Sequence, residues 1–512
     1  MGGAYLIEST LPGVTVLINT QQVARPIERQ PSSTLFEVGY SPWGPVNTAR
    51  IVTSWQDYFR QFGGFDVNSP MADAIYAFFN LFPGSQAYVV RVAGTGQLVG
   101  TLTLKDRTAV TPLNTLRVDA KYPSTRVDIS IAVTAGKNAN TVKLTVTSVF
   151  FGITEAWDNF DLSATAIAFI NQNSKLVNVT NLNSIAVSPT NLPALLAATP
   201  LAGGTDDFGT IIVATYIGTD DGNNHRTGLQ VFNDTTLGDG QVAISGITTE
   251  PAHVAIDAHC NLYHRLGLLD PPLGTDANGM AALRASYGTW YSAFYWPWVQ
   301  YSDFGGSGVI KFYPPSGFVA GACALVDKTI GTHKAPANIQ ILGALGVETA
   351  SGGANQTDDN TRALLNGLDI NVIAPLPEQG VKIYGARVLT GDRRVQMVHE
   401  IRLLNLFYYS GKIGYEWAVF QVVDGQGRLF RDLVASGQAF LRPFFEGGAL
   451  FGTKEAEAFV VIADASNNPP EELNAQRVHV QWGVHISPTA EQIILQIDNV
   501  PLFQDLSVLA AD

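Results

Sequence analysis

Between Arg284 and Lys311 the chain carries no basic residue, and within that interval stand Trp290, Tyr291, Phe294, Tyr295, Trp296, Trp298 and Tyr301. Rings of this size bury more area than any other side chains, and a folded chain does not leave such a cluster in water. A nucleic-acid stacking platform interleaves its aromatics with Arg and Lys. The run is therefore read as core or as subunit interface. Composition points the same way: 46% of the 512 residues are apolar and only 15% are charged, against about 25% in ordinary globular chains. Disorder requires the opposite balance, and non-specific nucleic-acid binding requires clustered basic charge. Here 31 Lys and Arg face 44 Asp and Glu, a net charge of −13. A chain so poor in charge is expected to cover part of its surface with partner subunits. Its acidic excess then serves solubility before assembly.

Cys260 and Cys323 lie in apolar stretches and are expected to be buried free thiols, suited to a reducing compartment. The first residues, MGGAYLIESTLPG, lack a basic n-region and a long apolar core, and Leu6 stands where myristoylation needs Ser or Thr. Phe318 to Val326 is far short of the ~20 apolar residues that span a bilayer. The expectation is a soluble chain with no export signal and no direct nucleic-acid or membrane binding.

Patterning predicts an α+β or α/β multidomain chain: a mixed-sheet core, an inserted β-rich domain, and extended N- and C-terminal arms. Residues 1–30 read as an arm, with Val14, Val16 and Ile18 in a short strand that has no nearby hairpin partner. Residues 31–98 open a middle α/β domain. There Ser69-Pro70 starts a helix carrying Met71, Ala74, Ile75, Phe78, Phe79 and Phe82 at helical spacing, Pro83-Gly84 stops it, and Ala87 to Val92 follows as a strand. From 99 to 204 the composition shifts to Thr, Val and Asn. Arg126–Val133 and Thr141–Val146 alternate with period two around a turn at Asn138–Asn140, which marks a β-rich outer insertion. A divergent continuation of the same sheet is the alternative. Strand–helix alternation resumes over 205–375 and completes the middle domain. Residues 376–512 form a last domain with helices at Gln396–Tyr409 and Arg431–Phe445. Its strand candidates are Val478–Ile486 and Gln492–Ile497, and a terminal arm contains Leu502 and Phe503.

No motif predicts catalysis, a cofactor or a metal. His253, His259 and His264 with Cys260 are the best metal candidates, but only Cys260 and His264 have helical ligand spacing, and ordinary helix residues suffice. His399-Glu400 begins a zincin pattern that Leu403 breaks. Asp303-Phe304-Gly305 imitates a kinase triplet, with no catalytic loop before it and Val309-Ile310-Lys311 on its wrong side. Gly305-Gly306-Ser307-Gly308 lacks the lysine of a P-loop. Gly203-Gly204-Thr205-Asp206-Asp207 reads as a junction loop, and Asp206/Asp207 and Glu471/Glu472 carry no weight as acid–base pairs in an acidic chain.

Tyr295-Trp296-Pro297-Trp298, then Pro314-Pro315-Ser316-Gly317 with Ala320-Gly321, then Lys334-Ala335-Pro336-Ala337-Asn338 resemble the central signature of contractile tail sheath proteins. Asp270-Pro271-Pro272 lies upstream in the position of that family's aspartate–proline step. Asn366, Asn371-Val372-Ile373, Gly385-Ala386-Arg387 and Thr390 resemble a second signature. Gly447–Leu450 with Glu457-Ala458-Phe459 resembles the C-terminal one. Pro12-Gly13-Val14 and Phe78–Val92 also fit. The resemblance covers nearly the whole chain except 99–204, with Tyr384 standing where the family usually has Trp.

The resemblance implies a structural subunit, not an enzyme, and no cofactor. Such subunits stack as helical rings, six-fold in this family, around an inner tube, and shorten to drive the tube through a cell envelope. The implied partners are the chain itself, the tail tube protein, and baseplate and terminator proteins. The implied location is a contractile virion tail assembled in the host cytoplasm, or a phage-derived bacterial injection device. The two arms would donate strands to neighbouring subunits. Arg431, Asp432, Lys454, Glu455 and Glu457, on or beside the last domain's helices, are the candidate tube contacts, with an ordinary solvated helix face as the plainer reading. A soluble α/β enzyme with an unrecognised site is the remote alternative.

Overall fold

The computed structural model describes residues 25–348, 357–495 and 497. The chain divides into two compact units, Met1–Arg29 with Ser410–His485 and Gln30–Tyr409 with Ile486–Asp512.

The larger unit is built on a nine-stranded sheet in the order Ile339–Gln340, Gly380–Ile383, Asn371–Leu376, Ser292–Trp296, Leu266–Leu269, Gly240–Ala243, Thr34–Tyr40, Ala87–Val92 and Arg50–Val52. The run from Asn371–Leu376 through Ala87–Val92 is parallel, and antiparallel strands close both sides. Parallel strands are covered on both faces and read as continuous apolar runs. Leu266–Leu269 and Ser292–Trp296 are buried at every position. The aromatic run thus supplies a central strand. Tyr295 packs into the core on one face, and Phe294 and Trp296 into the core on the other. The hairpin Asn371–Leu376/Gly380–Ile383 carries the chain across residue 376. The division between compact units comes later, between Tyr409 and Ser410.

Ser69 caps the predicted helix, its Oγ accepting from Ala72 N at 3.3 Å, with Pro70 in the first turn. The helix runs Pro70–Tyr76 and ends in a wider π turn, Ala77–Leu81. Phe82 is extended rather than helical, which lets its ring lie against Gly321 of the buried helix Pro315–Thr329. Gly317, one turn earlier, faces Ala74 so closely that a Cβ would sit 2.5 Å from the Ala74 Cα. Close helix contact is what the small residues of Pro315-Ser316-Gly317 and Ala320-Gly321 provide.

Residues between 101 and 200 form two antiparallel sheets. One has Thr101–Lys105, Asn114–Ala120 and Val177–Asn181; the other has Leu196–Pro200, Ser130–Ala135, Val142–Ser148 and Ile153–Phe160. Their apolar faces share one core that includes Leu116, Val118 and Val179 with Ile131, Leu144 and Val146. The strand expected from Arg126 begins at Ser130, and Arg126 forms an ion pair with Asp66 at 3.1 Å.

In the smaller unit the helix Arg428–Glu446 keeps Pro443 inside it. Ala439, whose carbonyl loses the Pro443 N–H, stands at an exposed position of the helix. The hairpin Phe459–Ile462/Gln481–Val484 packs beside this helix, Trp482 stacking near Phe440 at 5.4 Å and donating to Tyr415 Oη at 3.1 Å. Of the strand expected over Val478–Ile486, only Gln481–Val484 forms. The helix expected over Gln396–Tyr409 spans Val398–Gly414. Among the described residues of Gln492–Ile497 the expected strand does not form. Its described residues are irregular and exposed, since an extended segment without a partner strand has nowhere to place its backbone bonds.

Gly317→Ala is expected to lower stability by about 1–3 kcal/mol through overpacking. Calorimetric melting of the variant against the parent chain checks it; an unchanged midpoint would refute the close helix contact.

Candidate assembly site

The positions where a chemist would look for catalysis are occupied by structure. In an open parallel sheet, ligands bind beyond the carboxyl ends of the strands where the connections change direction. Here that point lies between Thr34–Tyr40, followed by a neighbour on one side, and Gly240–Ala243, followed by a neighbour on the other. Met71 packs on Gly39, and Pro70 and Trp298 close on Gly246. Glu37, Ser245, Asp270 and Ser316 are all buried there. Glu37 accepts from Ser245 N at 2.9 Å, and Ser245 and Ser316 share a 2.8 Å hydroxyl bond. Burial pushes Glu37 well above the usual carboxylate range and Asp270 up to about 6. Glu37 Oε1 and both Asp270 oxygens bond within this cluster, while Glu37 Oε2 is buried with no hydrogen-bond partner.

The histidines do not converge. His253 bonds Tyr287 Oη and the Asp270 carbonyl, each at 3.0 Å, and burial lowers it to about 4. His259 lies between Asn233 Oδ1 at 3.1 Å and Arg265 Nη1 at 2.9 Å, lowered to about 3 by burial and then by Arg265. His264 closes the helix Glu250–Tyr263 in the left-handed conformation and stacks on Tyr408 at 3.9 Å. Cys260 and Cys323 are buried free thiols, raised by desolvation. Among the described residues no group of His, Cys, Asp and Glu could hold a metal ion. Asp303, first residue of the kinase-like triplet, organises a hairpin turn: it pairs with Lys311 at 2.7 Å and accepts from Gly305 N and Ser307 N at 3.3 Å.

Features suited to assembly are plainer. In the smaller unit the two-stranded sheet leaves an outer edge on each strand that no other described strand pairs. The chain entering it is fastened: Arg25 lies over the Trp417 ring at 4.2 Å, and Ile27 fills the space that a side chain at Gly414 would take. Next to the hairpin, Val419, Phe420, Leu429, Val478 and Val480 line an apolar groove, with Phe420 fully exposed at 101%. Arg431 is exposed and Asp432 half-buried on the helix Arg428–Glu446. Lys454 is exposed, Glu457 accepts from Thr453 N at 2.9 Å, and Glu455 pairs with Arg442 at 2.6 Å. Arg442 was not singled out from sequence, although Arg442 and Glu455 straddle the Gly-Gly turn that brings them together. Val14, Val16, Ile18, Leu502 and Phe503 lie outside the described residues.

The larger unit holds the root of the C-terminal segment. Arg387 Nε and Nη2 take both Glu491 oxygens at 3.0 and 2.5 Å, while Arg387 Nη1 bonds the Asn366 carbonyl at 3.0 Å and Asp369 at 3.4 Å. Thr489 Oγ1 lies 3.4 Å from His399 Nε2. Just beyond this anchor Ile493, Ile494, Leu495 and Ile497 are 78–90% exposed, an apolar run with no cover of its own. The signature residue Asn371 ties the anchor to the sheet: its amide donates to the Phe294 and Arg387 carbonyls at 3.0 and 2.7 Å and accepts from Arg387 N at 2.6 Å.

The parallel core, the two-stranded hairpin sheet and the exposed apolar run can be set beside known proteins. The chain resembles contractile tail sheath proteins in sequence and in fold. A protein of Pseudomonas aeruginosa strain UCBPP-PA14 named "Putative prophage major tail sheath protein" is 26% identical over 283 residues, 52% of this chain and 67% of that one. Among solved structures, the sheath of an extracellular contractile injection system in its contracted state aligns over 98% of this chain and 99% of its own, with a TM-score of 0.56 at 17% identity. The contracted helical sheath of the anti-feeding prophage covers 96% and 100%, TM-score 0.54, 17% identity. A sheath tail protein of Listeria innocua covers 86% and 91%, TM-score 0.58, 14% identity. No family model matches the chain.

The half-buried Arg387–Glu491 pair is expected to contribute about 1 kcal/mol to holding the segment root. Amide hydrogen exchange over residues 487–495 should rise in Glu491→Arg and return toward the parent rate in the charge-swapped chain that adds Arg387→Glu. Equal exchange in all three would remove the anchor.

Proposed function

We propose that the chain is the structural subunit of a contractile sheath, polymerising as stacked helical rings around an inner tube and shortening to drive that tube through a target envelope. The observation that carries the reading is the fold match along 98% of the chain to a contracted sheath subunit. The open edges of the Phe459–Ile462/Gln481–Val484 sheet and the uncovered apolar run at 493–497 support it.

In this reading residues 1–30 and the segment after about 490 are arms that add strands to sheets of neighbouring subunits, with Val14, Val16, Ile18, Leu502 and Phe503 as strand residues. Main-chain hydrogen bonds supply most of such a join, so it tolerates large rigid-body rotation of the subunits it links. A heterologous contact of this kind propagates as an open helix instead of closing as a dimer. Residues 99–204 form the outer domain, residues 31–98 and 205–375 the middle domain, and residues 376–512 the tube-facing domain. Arg431, Asp432, Lys454, Glu455 and Glu457 are its candidate tube contacts. Six-fold rings, a tube protein, a baseplate and a terminator are the partners; helical-sheath and baseplate assemblies among the similar structures support the first and third. Energy for shortening is stored in the extended array as a kinetic trap, with no nucleotide, cofactor or catalytic residue. The filled crevice at Gly39 and Gly246 favours this over an enzyme of the same fold class. Similarity to a prophage tail protein and to injection-system sheaths suits a virion tail and a phage-derived device alike.

Removing residues 1–22 should leave a folded monomer that does not polymerise, whereas the full chain should form tubes of contracted diameter. Negative-stain electron microscopy of both distinguishes them; normal tubes from the truncated chain would overturn the role of the arm.

A further inference from the structure

We infer that the two inserted sheets are locked to the parallel core by several independent sets of contacts and travel with it as one rigid body. The coupling belongs to the single chain and does not rest on the sheath reading.

A domain joined by two crossing segments ordinarily swings on them. Here the crossings pair with each other: Leu98 and Thr205 exchange backbone bonds at 2.8 Å, and Thr101 and Ala202 exchange theirs at 2.8 and 3.1 Å. The neck is thus a short antiparallel ladder, which resists bending in its own plane. Gly94 lets it close on the core, since a Cβ there would stand 2.0 Å from the Asp207 carbonyl oxygen.

At the base of the neck, Asp206 and Arg91 bind both parties. Asp206 is buried and accepts from Tyr40 Oη of the core at 2.8 Å and from Thr125 Oγ1 of the insertion at 3.0 Å. Arg91, fully buried at the end of the strand Ala87–Val92, donates to the Ser41 and Gly44 carbonyls of the core at 2.8 and 2.7 Å. Its third bond goes to the Pro123 carbonyl of the insertion at 2.8 Å. A buried guanidinium is costly unless its donors are met, so any swing that withdrew Pro123 would strand a charged group.

Two further contacts lie away from the neck. Arg126 pairs with the buried Asp66 at 3.1 Å. The turn after the strand Val142–Ser148 sets Phe151 against Trp43 at 5.9 Å and Phe59 at 6.0 Å, and Trp43 also meets Tyr122 at 5.2 Å. A hinge needs its attachments to lie along one line. Here the arginine hub, the Arg126–Asp66 pair and the aromatic patch are attachments additional to the neck, and a swing about the neck alone breaks them. Whatever large rearrangement the chain undergoes, the insertion keeps its pose on the core.

Spin labels at Lys137→Cys, on a turn of the insertion, and Glu250→Cys, at the start of a core helix, report this directly; both sites are exposed and the native cysteines are buried. The labelled full-length chain, diluted with unlabelled protein, should give one narrow distance distribution by pulsed dipolar spectroscopy. Phe151→Ala with Arg126→Ala should about double its width while the melting midpoint shows the chain still folded. Arg126→Glu, an exposed change facing Asp66, should broaden it on its own and serves if the double variant does not fold. A broad or multiple distribution in the parent chain, or an unchanged width in the variants, would overturn the lock.

Discussion

The Asp270 carboxylate is the joint on which the core is assembled. Buried at the end of Leu266–Leu269, it accepts from Ser316 N at 2.9 Å and Ser316 Oγ at 2.7 Å at the start of the helix Pro315–Thr329, and from Gly246 N at 3.0 Å beyond Gly240–Ala243. Burying an acid costs several kcal/mol unless its oxygens are satisfied. These three donors and the positive end of the helix answer that cost, and the group is still raised to about 6, because desolvation outweighs them. The adjoining carbonyls do the rest of the fastening. Asp270 O takes His253, Pro271 O takes Trp298 at 2.8 Å, and Thr275 O takes Trp296 at 2.8 Å. The Asp-Pro-Pro step is thus where the aromatic strand and the small-residue helix are hung on the sheet.

The motifs that mark the chain as sheath-like are joinery of this kind. Asn371 bridges the strand Ser292–Trp296 to the Gly-Ala-Arg turn, and Gly385 must be glycine because a Cβ would come within 2.8–2.9 Å of Asn371. Arg387, the last residue of that turn, reaches the C-terminal segment. None of these side chains gathers around a space that a substrate could enter. The polar side chains of these motifs hold irregular backbone in place.

Much of the core was legible in the sequence because local signals and burial agree there. Ser69-Pro70 both caps and starts its helix, and the uncharged aromatic run becomes a strand buried on both faces. Legibility fails where a residue answers to something distant in sequence. Arg126 alternates correctly for a strand but is taken by Asp66. Phe82 has helical spacing but leaves the helix to lie on Gly321. Gln492–Ile497 has the composition of a strand, and its described residues pair with no described strand. The Arg387–Glu491 anchor and the Arg442–Glu455 pair were likewise invisible, since ion pairs leave no periodic trace.

That last failure is informative. In the sheath reading proposed above, this strand-patterned segment, anchored at its root and exposed among the described residues, finds its missing half on another molecule, and the two-stranded sheet, whose outer edges no other described strand pairs, is the complementary half. Few charges are needed for such a join, because its strength lies in backbone bonds and its specificity in which residues face the sheet. The low charge of the chain and its open edges are then one property. Side chains such as Asp270 and Arg91 fasten the fold from within, and in the proposed sheath the backbone is left to connect one subunit to its neighbours.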